Sequence, residues 1–251
     1  MTPEIHSESD LEPKGMGEGS RLAGVFFEPG KAFEDIAKRP GFWAPLALVI
    51  LVSLIYMAMF GQHVGWERMI RHQMELSPQA MQLPADRREA QIAAAAKFTP
   101  IATYGFILIV LPLFYLIWAA VLLAIVKGMM SAPVRLKQLY AILWYASLPG
   151  IIMAVLAIAV MFMKSPDDFN LQNPLVFNPA AFMDQAATSK FVYSIASALD
   201  LFSLWKLVLI AIGVKAAGGK NMSMGGALTA TLLPWAIWTL CAAALAGIFS
   251  R

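Results

Sequence analysis

The feature of the sequence that most constrains its fold is a set of long apolar stretches that carry almost no charge. There are five of them: 42–60, 101–126, 139–163, 191–214 and 227–249. About twenty apolar residues are enough to cross the roughly 30 Å hydrocarbon core of a bilayer as a helix. Lipid offers no partners to backbone amides, so each crossing segment must satisfy them internally. The sequence therefore predicts an all-α, polytopic membrane helix bundle with five transmembrane helices.

Composition supports this prediction and excludes several function classes. Apolar residues make up 59% of the 251 residues and charged residues 14%. Soluble domains are about 45–50% apolar and about 25% charged, so an ordinary soluble enzyme is excluded. The net charge is +3, and the Lys and Arg residues do not cluster in the sequence into a dense basic patch. Nucleic acid is therefore not an expected partner.

No metal or cofactor site is predicted. The single cysteine, Cys241, is too few for an intrachain disulfide or a cysteine-based metal site. His63 and Glu67 are one helical turn apart, but His72 lies about 140° around the helix from Glu67. We interpret these three residues as a solvated polar face rather than as metal ligands.

The chain divides into a polar tail and a membrane domain. Residues 1–21 are rich in Glu, Ser, Gly and Pro and are predicted to be disordered. Residues 22–251 form the membrane domain, with helical outer loops over 61–100 and 164–190. If the N-terminus is cytoplasmic, ten Lys and Arg residues face inward and eight face outward. The positive-inside rule then favours a cytoplasmic N-terminus.

Apolar residues recur at helical spacing in two segments outside the spans, 25–38 and 62–76. Amphipathic helices beside a span commonly lie in the bilayer interface. Both segments are predicted as short interfacial helices, although a helix packed on a partner would show the same pattern. A further helix is predicted over 84–98.

Prolines mark predicted helix starts and breaks. Four polar residues precede a proline in the way that is typical of a helix start: Ser77-Pro78, Thr99-Pro100, Ser165-Pro166 and Asn178-Pro179. Inside the spans, Pro112, Pro149 and Pro234 each remove a backbone donor. The predicted break lies at Pro149, which Gly150 follows.

The fourth stretch carries a polar stripe in which Ser194, Ser197, Asp200, Ser203 and Lys206 recur every three residues. Ionisable residues inside a membrane are functional candidates. The stripe could line a transport path, or its serines could bond to other helices while its charges anchor the bundle. No second repeat shows a matching stripe, which favours the structural interpretation. Asp200 and Lys206 are offset by about 120° and are not expected to pair.

Ser203 and Lys206 also match the S-x-x-K spacing of Ser/Lys acyl-transfer enzymes, in which a desolvated lysine acts as the base. The companion motifs of those enzymes are absent from the sequence, as are G-x-S-x-G and H-E-x-x-H. No catalytic residue is therefore predicted, and an intramembrane hydrolase is only an alternative to a non-enzymatic role.

Small residues indicate close helix association. Gly61 and Gly65 form a GxxxG pattern near the end of the first stretch. Small residues also cluster in the fifth stretch: Ala242, Ala243, Ala244, Ala246 and Gly247. Such residues let helices approach closely, either within the chain or between copies.

Several segments, taken in order, resemble the bacterial form of the Yip1 domain family. They are Phe27–Ile36, Pro40–Leu46, Tyr140, Tyr145–Pro149 and Leu199–Trp205, the last continuing to Gly213. The resemblance covers about residues 22–249 and implies five helices with a cytosolic N-terminus. It makes Asp200 and Trp205 motif positions but assigns them no chemistry. Eukaryotic members take part in vesicle traffic and contact small GTPases, so a small GTPase is a partner by analogy only.

Together these features predict a non-enzymatic scaffold, or a membrane-organising component of the trafficking type, in a bacterial inner membrane. Its predicted partners are the lipid bilayer and a second copy or another membrane protein. Its predicted working surface is the cytosolic tail with the loops 127–138 and 215–226. The alternative is a transporter or permease subunit that uses the stripe. The candidate functional or packing positions are Asp200, Ser203, Trp205, Lys206 and Pro149.

Overall fold

The computed structural model describes residues 15–75, 77–171, 173–185 and 187–248, and in these ranges the chain is helical without strands. The α-helices of this part of the chain are α1 (Glu18–Phe27), α2 (Pro29–Lys38), α3 (Trp43–His63), α4 (Trp66–Glu75), α5 (Pro78–Met81), α6 (Ala85–Gly105), α7 (Leu111–Met130), α8 (Leu136–Ala146), α9 (Pro149–Met163), α10 (Lys190–Ala198), α11 (Leu201–Gly218) and α12 (Met224–Ile248). The predicted disordered tail over 1–21 lies outside the described residues as far as residue 14. Its last part is ordered, because α1 begins at Glu18.

Five helical runs are long and apolar enough to cross a membrane. They are α3, the continuous run from α6 to Gly128 of α7, α8 with α9, α11 with the 3₁₀ turn Gly219–Asn221, and α12. This confirms the predicted fold class of an all-α, polytopic membrane helix bundle. The structure differs from the sequence prediction in four places. They are the helix through Pro100, the hairpin of α1 and α2, helix α4 and the fourth span.

The second span begins earlier than predicted. Thr99-Pro100 does not start a helix, since α6 runs through Pro100 from Ala85. The alanines before Thr99 are the strongest helix formers, and Pro100 removes only one backbone donor. A π-helical turn, Phe106–Val110, then joins α6 to α7, and the Leu111 amide donates to the Phe106 carbonyl five residues back. Such a turn lies where Pro112 would otherwise disturb a regular helix.

Of the other three proline pairs, two begin a helical segment and one does not. The Ser77 hydroxyl accepts the Ala80 amide at 3.4 Å and begins α5, as predicted. The Asn178 side chain accepts the Ala181 amide at 3.1 Å and begins a 3₁₀ turn in the outer loop. Ser165 starts no helix, because its hydroxyl donates to the Asp168 carboxylate at 2.6 Å instead.

The third span breaks at the predicted place. Helix α8 ends at Ala146, and Pro149 is the first residue of α9, where its missing amide costs nothing. The Ser147 hydroxyl donates to the carbonyls of Leu143 at 2.7 Å and Trp144 at 3.0 Å. The break is therefore stabilised by a buried side chain within the turn itself.

The amphipathic segment 25–38 does not lie on the bilayer as one helix, so that prediction is wrong. Glu28-Pro29 divides it into α1 and α2, which pack against each other as a hairpin. The apolar face of α2 packs against α8 and α11, and Phe33 and Ile36 are fully buried there. Protein therefore covers the face that the pattern assigned to lipid.

The predicted interfacial helix over 62–76 also packs on protein. Gly65 adopts a positive φ of 89°, which turns α4 back toward α3. Gly61 leaves room for the Trp66 ring, since a Cβ there would lie 2.5 Å from Trp66 Nε1. Arg71 of α4 pairs with Glu89 of α6 at 2.6 Å. The GxxxG pair thus serves a turn within the chain.

Two of the small residues of the fifth span, Ala243 and Gly247, are likewise used inside the chain, whereas Ala242 and Ala244 are exposed. Helix α10 packs along α12, and Ala243 is fully buried. A Cβ at Gly247 would lie 3.4 Å from Phe191 Cβ of α10. Close approach at these positions therefore supports the fold of one copy.

Helix α8 is the centre of the main core. Trp144 and Tyr145 are fully buried, and α8 is packed against by α1, α2, α3, α7 and α11. Gly213 of α11 permits this packing, because a Cβ there would lie 2.4 Å from Ile142 Cγ2 and 3.0 Å from Phe33 Cδ1. The terminal hairpin is thus part of the membrane domain rather than an appendage of it.

Candidate functional site

Asp200 ends one helix and begins the next. Its Oδ1 accepts the amides of Phe202 and Ser203, both at 3.0 Å, and its backbone is extended. Aspartate is a strong N-cap because its short acceptor competes with helix continuation, and its charge suits a helix N-terminus. The predicted continuous span over 191–214 is therefore wrong, and the fourth span is α11.

The polar stripe does not run along one helix. Ser194 and Ser197 belong to α10, whereas Ser203 and Lys206 belong to α11. The Lys206 ammonium donates to the Tyr115 hydroxyl of α7 at 2.7 Å. None of the ion pairs in the described residues includes Asp200 or Lys206. The two charges are thus accommodated separately, one by a helix terminus and one by a neighbouring helix.

A cavity of about 250 Å³ lies between α3, α7, α9 and α11. Its polar lining comes from Ser53, Tyr115, Ser147, Asp200, Ser203 and Lys206. A second cavity of about 210 Å³ lies beside it toward α12, and Tyr115, Ser203 and Lys206 line both. Asp200 and Lys206 therefore border an open cleft between helices.

The other two candidate positions pack rather than line the polar space. The Trp205 ring lies edge-on to Phe26 of α1, with 5.9 Å between the ring centroids, and so joins the hairpin to α11. Pro149 begins α9 and is buried. Both residues therefore hold helices in place.

The S-x-x-K pair has no catalytic geometry in the described part of the chain. No hydrogen bond joins Ser203 to Lys206, and the ammonium is turned to Tyr115. Within the same residues, no group of three or more His, Cys, Asp or Glu side chains could hold a metal ion. The lining of the polar cavity thus offers hydrogen-bonding groups, the Lys206 ammonium and the Asp200 carboxylate.

A buried ion-pair cluster fixes the terminal hairpin, and the sequence prediction missed it. Arg21 of α1 is only 4% exposed, and its Nε lies 2.6 Å from Asp35 Oδ2 of α2. Arg21 also pairs with Glu18 at 3.0 Å, and Glu18 accepts the Tyr145 hydroxyl of α8 at 2.6 Å. We define Glu18, Arg21, Asp35 and Tyr145 as the hairpin clamp. Three separate helices contribute to it.

Electrostatics at the clamp favour the ionised carboxylate. Burial by itself would raise the pKa of Asp35, but the hydrogen bonds from Arg21 and Arg39 outweigh it and hold that pKa below its usual value. The Met16 amide adds a further hydrogen bond at 3.3 Å. A signal was present in Glu28-Pro29-Gly30, which indicates a turn that would bring Arg21 and Asp35 together.

One end of the bundle gathers the hairpin and two connectors. The Gln138 side chain of α8 donates to the Ala37 carbonyl of α2 at 2.7 Å and accepts the Arg135 amide at 2.8 Å. Helix α2 also packs on α11, which leads into the turn Gly219–Asn221. We define the cytosolic-side surface, named for the side on which the sequence predicts it to lie, as the hairpin with residues 127–138 and 215–226.

Comparison with known proteins gives one family. A family model described as the Yip1 domain matches residues 23–246, which include four of the spans in full, the fifth span except for its last two residues, and the hairpin from residue 23 onward. No curated protein and no solved structure matches the chain.

We expect Asp200 to act as a helix cap rather than as a required charge. Asp200→Ala should destabilise the protein by about 1 kcal/mol, since it removes the N-cap acceptor. Asp200→Asn should retain most of the stability, because asparagine caps equally well without a charge. The measurement is the thermal unfolding midpoint of the purified protein in detergent. Equal losses in both variants would contradict the capping role.

We expect Asp35→Ala to cost about 3 kcal/mol, because it leaves Arg21 buried without its main partner. The pKa of Asp35 is lowered in the folded protein, so its stabilising contribution is present above the unfolded value of about 4 and is lost as pH falls through the folded value. At pH values below about 4, the thermal unfolding midpoint should therefore fall further in the parent protein than in Asp35→Asn. Lys31→Ala, at an exposed pair with Glu28, is the matched control and should leave stability unchanged. Similar losses in Asp35→Ala and Lys31→Ala would refute the clamp.

Proposed function

Because the chain belongs to the Yip1 domain family, we propose that it is a non-enzymatic scaffold or membrane-organising component that works through its cytosolic-side surface. Family membership and the five apolar spans make it an integral, multi-pass membrane protein of the trafficking type. The partner that we propose is another membrane protein or a second copy. Contact with a small GTPase is an analogy with eukaryotic members.

The observation that carries the proposal is the fixed position of the terminal hairpin. The hairpin clamp and the burial of Phe33 and Ile36 hold α1 and α2 against the spans. A preformed surface loses little conformational entropy when a partner binds. The hairpin therefore supports recognition in a way that a disordered tail on the same spans would not.

The chain topology supports a single working side. With five spans, the segment before the first span and the connectors after the second and fourth all lie on the same side of the membrane. The Gln138 contacts with Ala37 and Arg135 bring two of these segments together. The excess of Lys and Arg on this side, ten against eight, favours the cytoplasm. A bacterial inner membrane remains our proposal for the compartment.

The polar stripe supports the structural role in preference to transport. It is divided at Asp200, and each of its charges has a local role, as a cap or as a donor to Tyr115. The transport alternative gains no positive observation from the described residues. The S-x-x-K pair likewise gains none, since Lys206 is bonded elsewhere.

Orientation can be tested by thiol labelling in intact cells. The native thiol is exposed, so Cys241→Ser provides the background. We expect a membrane-impermeant reagent to label a cysteine at Arg87, in the connector after the first span, and to miss one at Lys220. After cell lysis both positions should react, which shows that both are accessible. Labelling of Lys220 but not of Arg87 in intact cells would reverse the proposed orientation.

The scaffold function can be tested by photo-crosslinking of the full chain in native membranes. A photoreactive residue at Lys31 or at Lys137 should form an adduct of one defined mass, because both side chains are exposed on the cytosolic-side surface. The matched control is Arg87, which is exposed on α6 at the other side. Adducts of the same mass from all three positions, or none from Lys31 and Lys137, would contradict the proposal.

A further inference from the structure

An open groove of about 830 Å³ lies at the cytosolic-side surface, where the ends of several spans meet. One wall is α2, from Gly30 to Lys38. The other walls come from the connector between the second and third spans and from the last part of α11 with the turn that follows it. The groove therefore opens at the boundary between the spans and the aqueous phase.

The groove is basic and its cations are unneutralised. Four of its side chains are cationic, namely Lys38, Arg135, Lys215 and Lys220, and all four are exposed. Glu34 is the single carboxylate among its lining residues, so four positive charges less one negative leave +3. None of the four cations takes part in the ion pairs of the described chain.

The lack of partners distinguishes these cations from their neighbours on the hairpin. Arg21 and Arg39 both pair with Asp35, and Lys31 pairs with Glu28 at 2.7 Å. Four exposed cations that share a groove repel one another unless an anion neutralises them. An anionic ligand would thus gain attraction from every cation and relieve their mutual repulsion.

The turn after α11 is built to bring Lys220 to the groove. Gly219 has φ 58° and ψ −135°, a conformation open essentially only to glycine. A Cβ at Gly218 would lie 2.5 Å from Met222 Cβ, so glycine is the residue that fits at this position as well. The α11 C-terminus contributes only about half a negative charge, which the net +3 of the groove exceeds.

Part of the groove lining is apolar. Ile212, Ala216 and Ala217 of α11 and Met224 of α12 line it, and they belong to the fourth and fifth spans. A free phosphate ion would use only the basic part. A molecule with an anionic head and an alkyl chain would use both parts at the depth where bilayer lipids present them.

We propose that the groove binds an anionic phospholipid. The headgroup phosphate lies among Lys38, Arg135, Lys215 and Lys220, and an acyl chain follows the apolar wall toward Ile212. Basic pockets between transmembrane helices recognise anionic headgroups in this way, and the Arg guanidinium matches a phosphate in a bidentate manner. Lipid binding goes beyond the scaffold function and does not depend on any protein partner.

The experiment compares lipids on the purified full chain by native mass spectrometry and by thermal unfolding in a zwitterionic detergent. Dioleoyl phosphatidylglycerol should bind and raise the unfolding midpoint, whereas dioleoyl phosphatidylcholine should bind at least tenfold more weakly. The gain should shrink at high salt, because ions screen the contacts. Inorganic phosphate and glycerol phosphate, at millimolar concentration, should give no comparable shift.

Variants assign the binding to the groove. Changing all four groove cations to glutamine should weaken phosphatidylglycerol binding at least tenfold. The matched control changes four exposed, unpaired cations elsewhere to glutamine, Arg87, Lys97, Lys164 and Lys190, and should leave binding unchanged. Glu34→Gln should strengthen binding several-fold, since it removes the one opposing charge. The double variant Lys215→Gln/Lys220→Gln repeats the test with less disturbance to folding.

Three outcomes would overturn the proposal. Equal binding of the two lipids would show that the groove does not distinguish an anionic headgroup from a zwitterionic one. An equal loss in the control variant would show that total charge, not the groove, attracts the lipid. An equal response to inorganic phosphate would assign the groove to a soluble anion. Because each measurement uses the purified chain alone, none of these outcomes bears on the crosslinking of a partner.

Discussion

The ion pair between Arg21 and Asp35 determines how α1 and α2 pack against the spans. Removing two charges from water is costly, and the pair is retained because Glu18, Arg39 and Tyr145 complete its hydrogen bonds. With the pair in place, the apolar face of α2 is buried on α8 and α11 instead of facing lipid. The groove then gains one of its walls, and the cytosolic-side surface gains α1 and α2, which precede the first span.

The fourth span shows how a bundle tolerates two charges. Each charge at the centre of an isolated transmembrane helix costs about 2.5–3.5 kcal/mol on the insertion scale. Asp200 avoids that cost because it stands before the first turn of α11, where it satisfies two amides. Lys206 stays within the span but donates to Tyr115 and borders clefts between the helices. Both charges therefore have local partners, the backbone amides of α11 for Asp200 and the Tyr115 hydroxyl for Lys206.

The sequence determined the spans where hydropathy alone decides, and it failed where a tertiary contact decides. Four stretches without charge became spans, and Pro149 broke the third, because both signals are local. The sequence prediction missed the break at Asp200. Serines at three-residue spacing lie on both sides of it, so the aspartate was interpreted as one position of a helical stripe rather than as a helix cap. The hairpin clamp and the groove depend on contacts between residues far apart in the chain. Charge pairing of that kind, as between Arg21 and Asp35, has no period in the sequence.

The distribution of charge links the orientation of the protein to the lipid groove. The formal net charge of the chain is +3, and the groove carries the same net charge, so all other residues sum to zero. Acidic residues of the hairpin neutralise the cations beside them, as Glu28 does for Lys31. Arg135 comes from the connector after the second span, and Lys215 and Lys220 come from the end of α11 and the turn that follows it; both stretches of sequence lack acidic residues. The excess positive charge that favours a cytoplasmic orientation is thus concentrated at one place on the membrane boundary, where anionic headgroups can neutralise it.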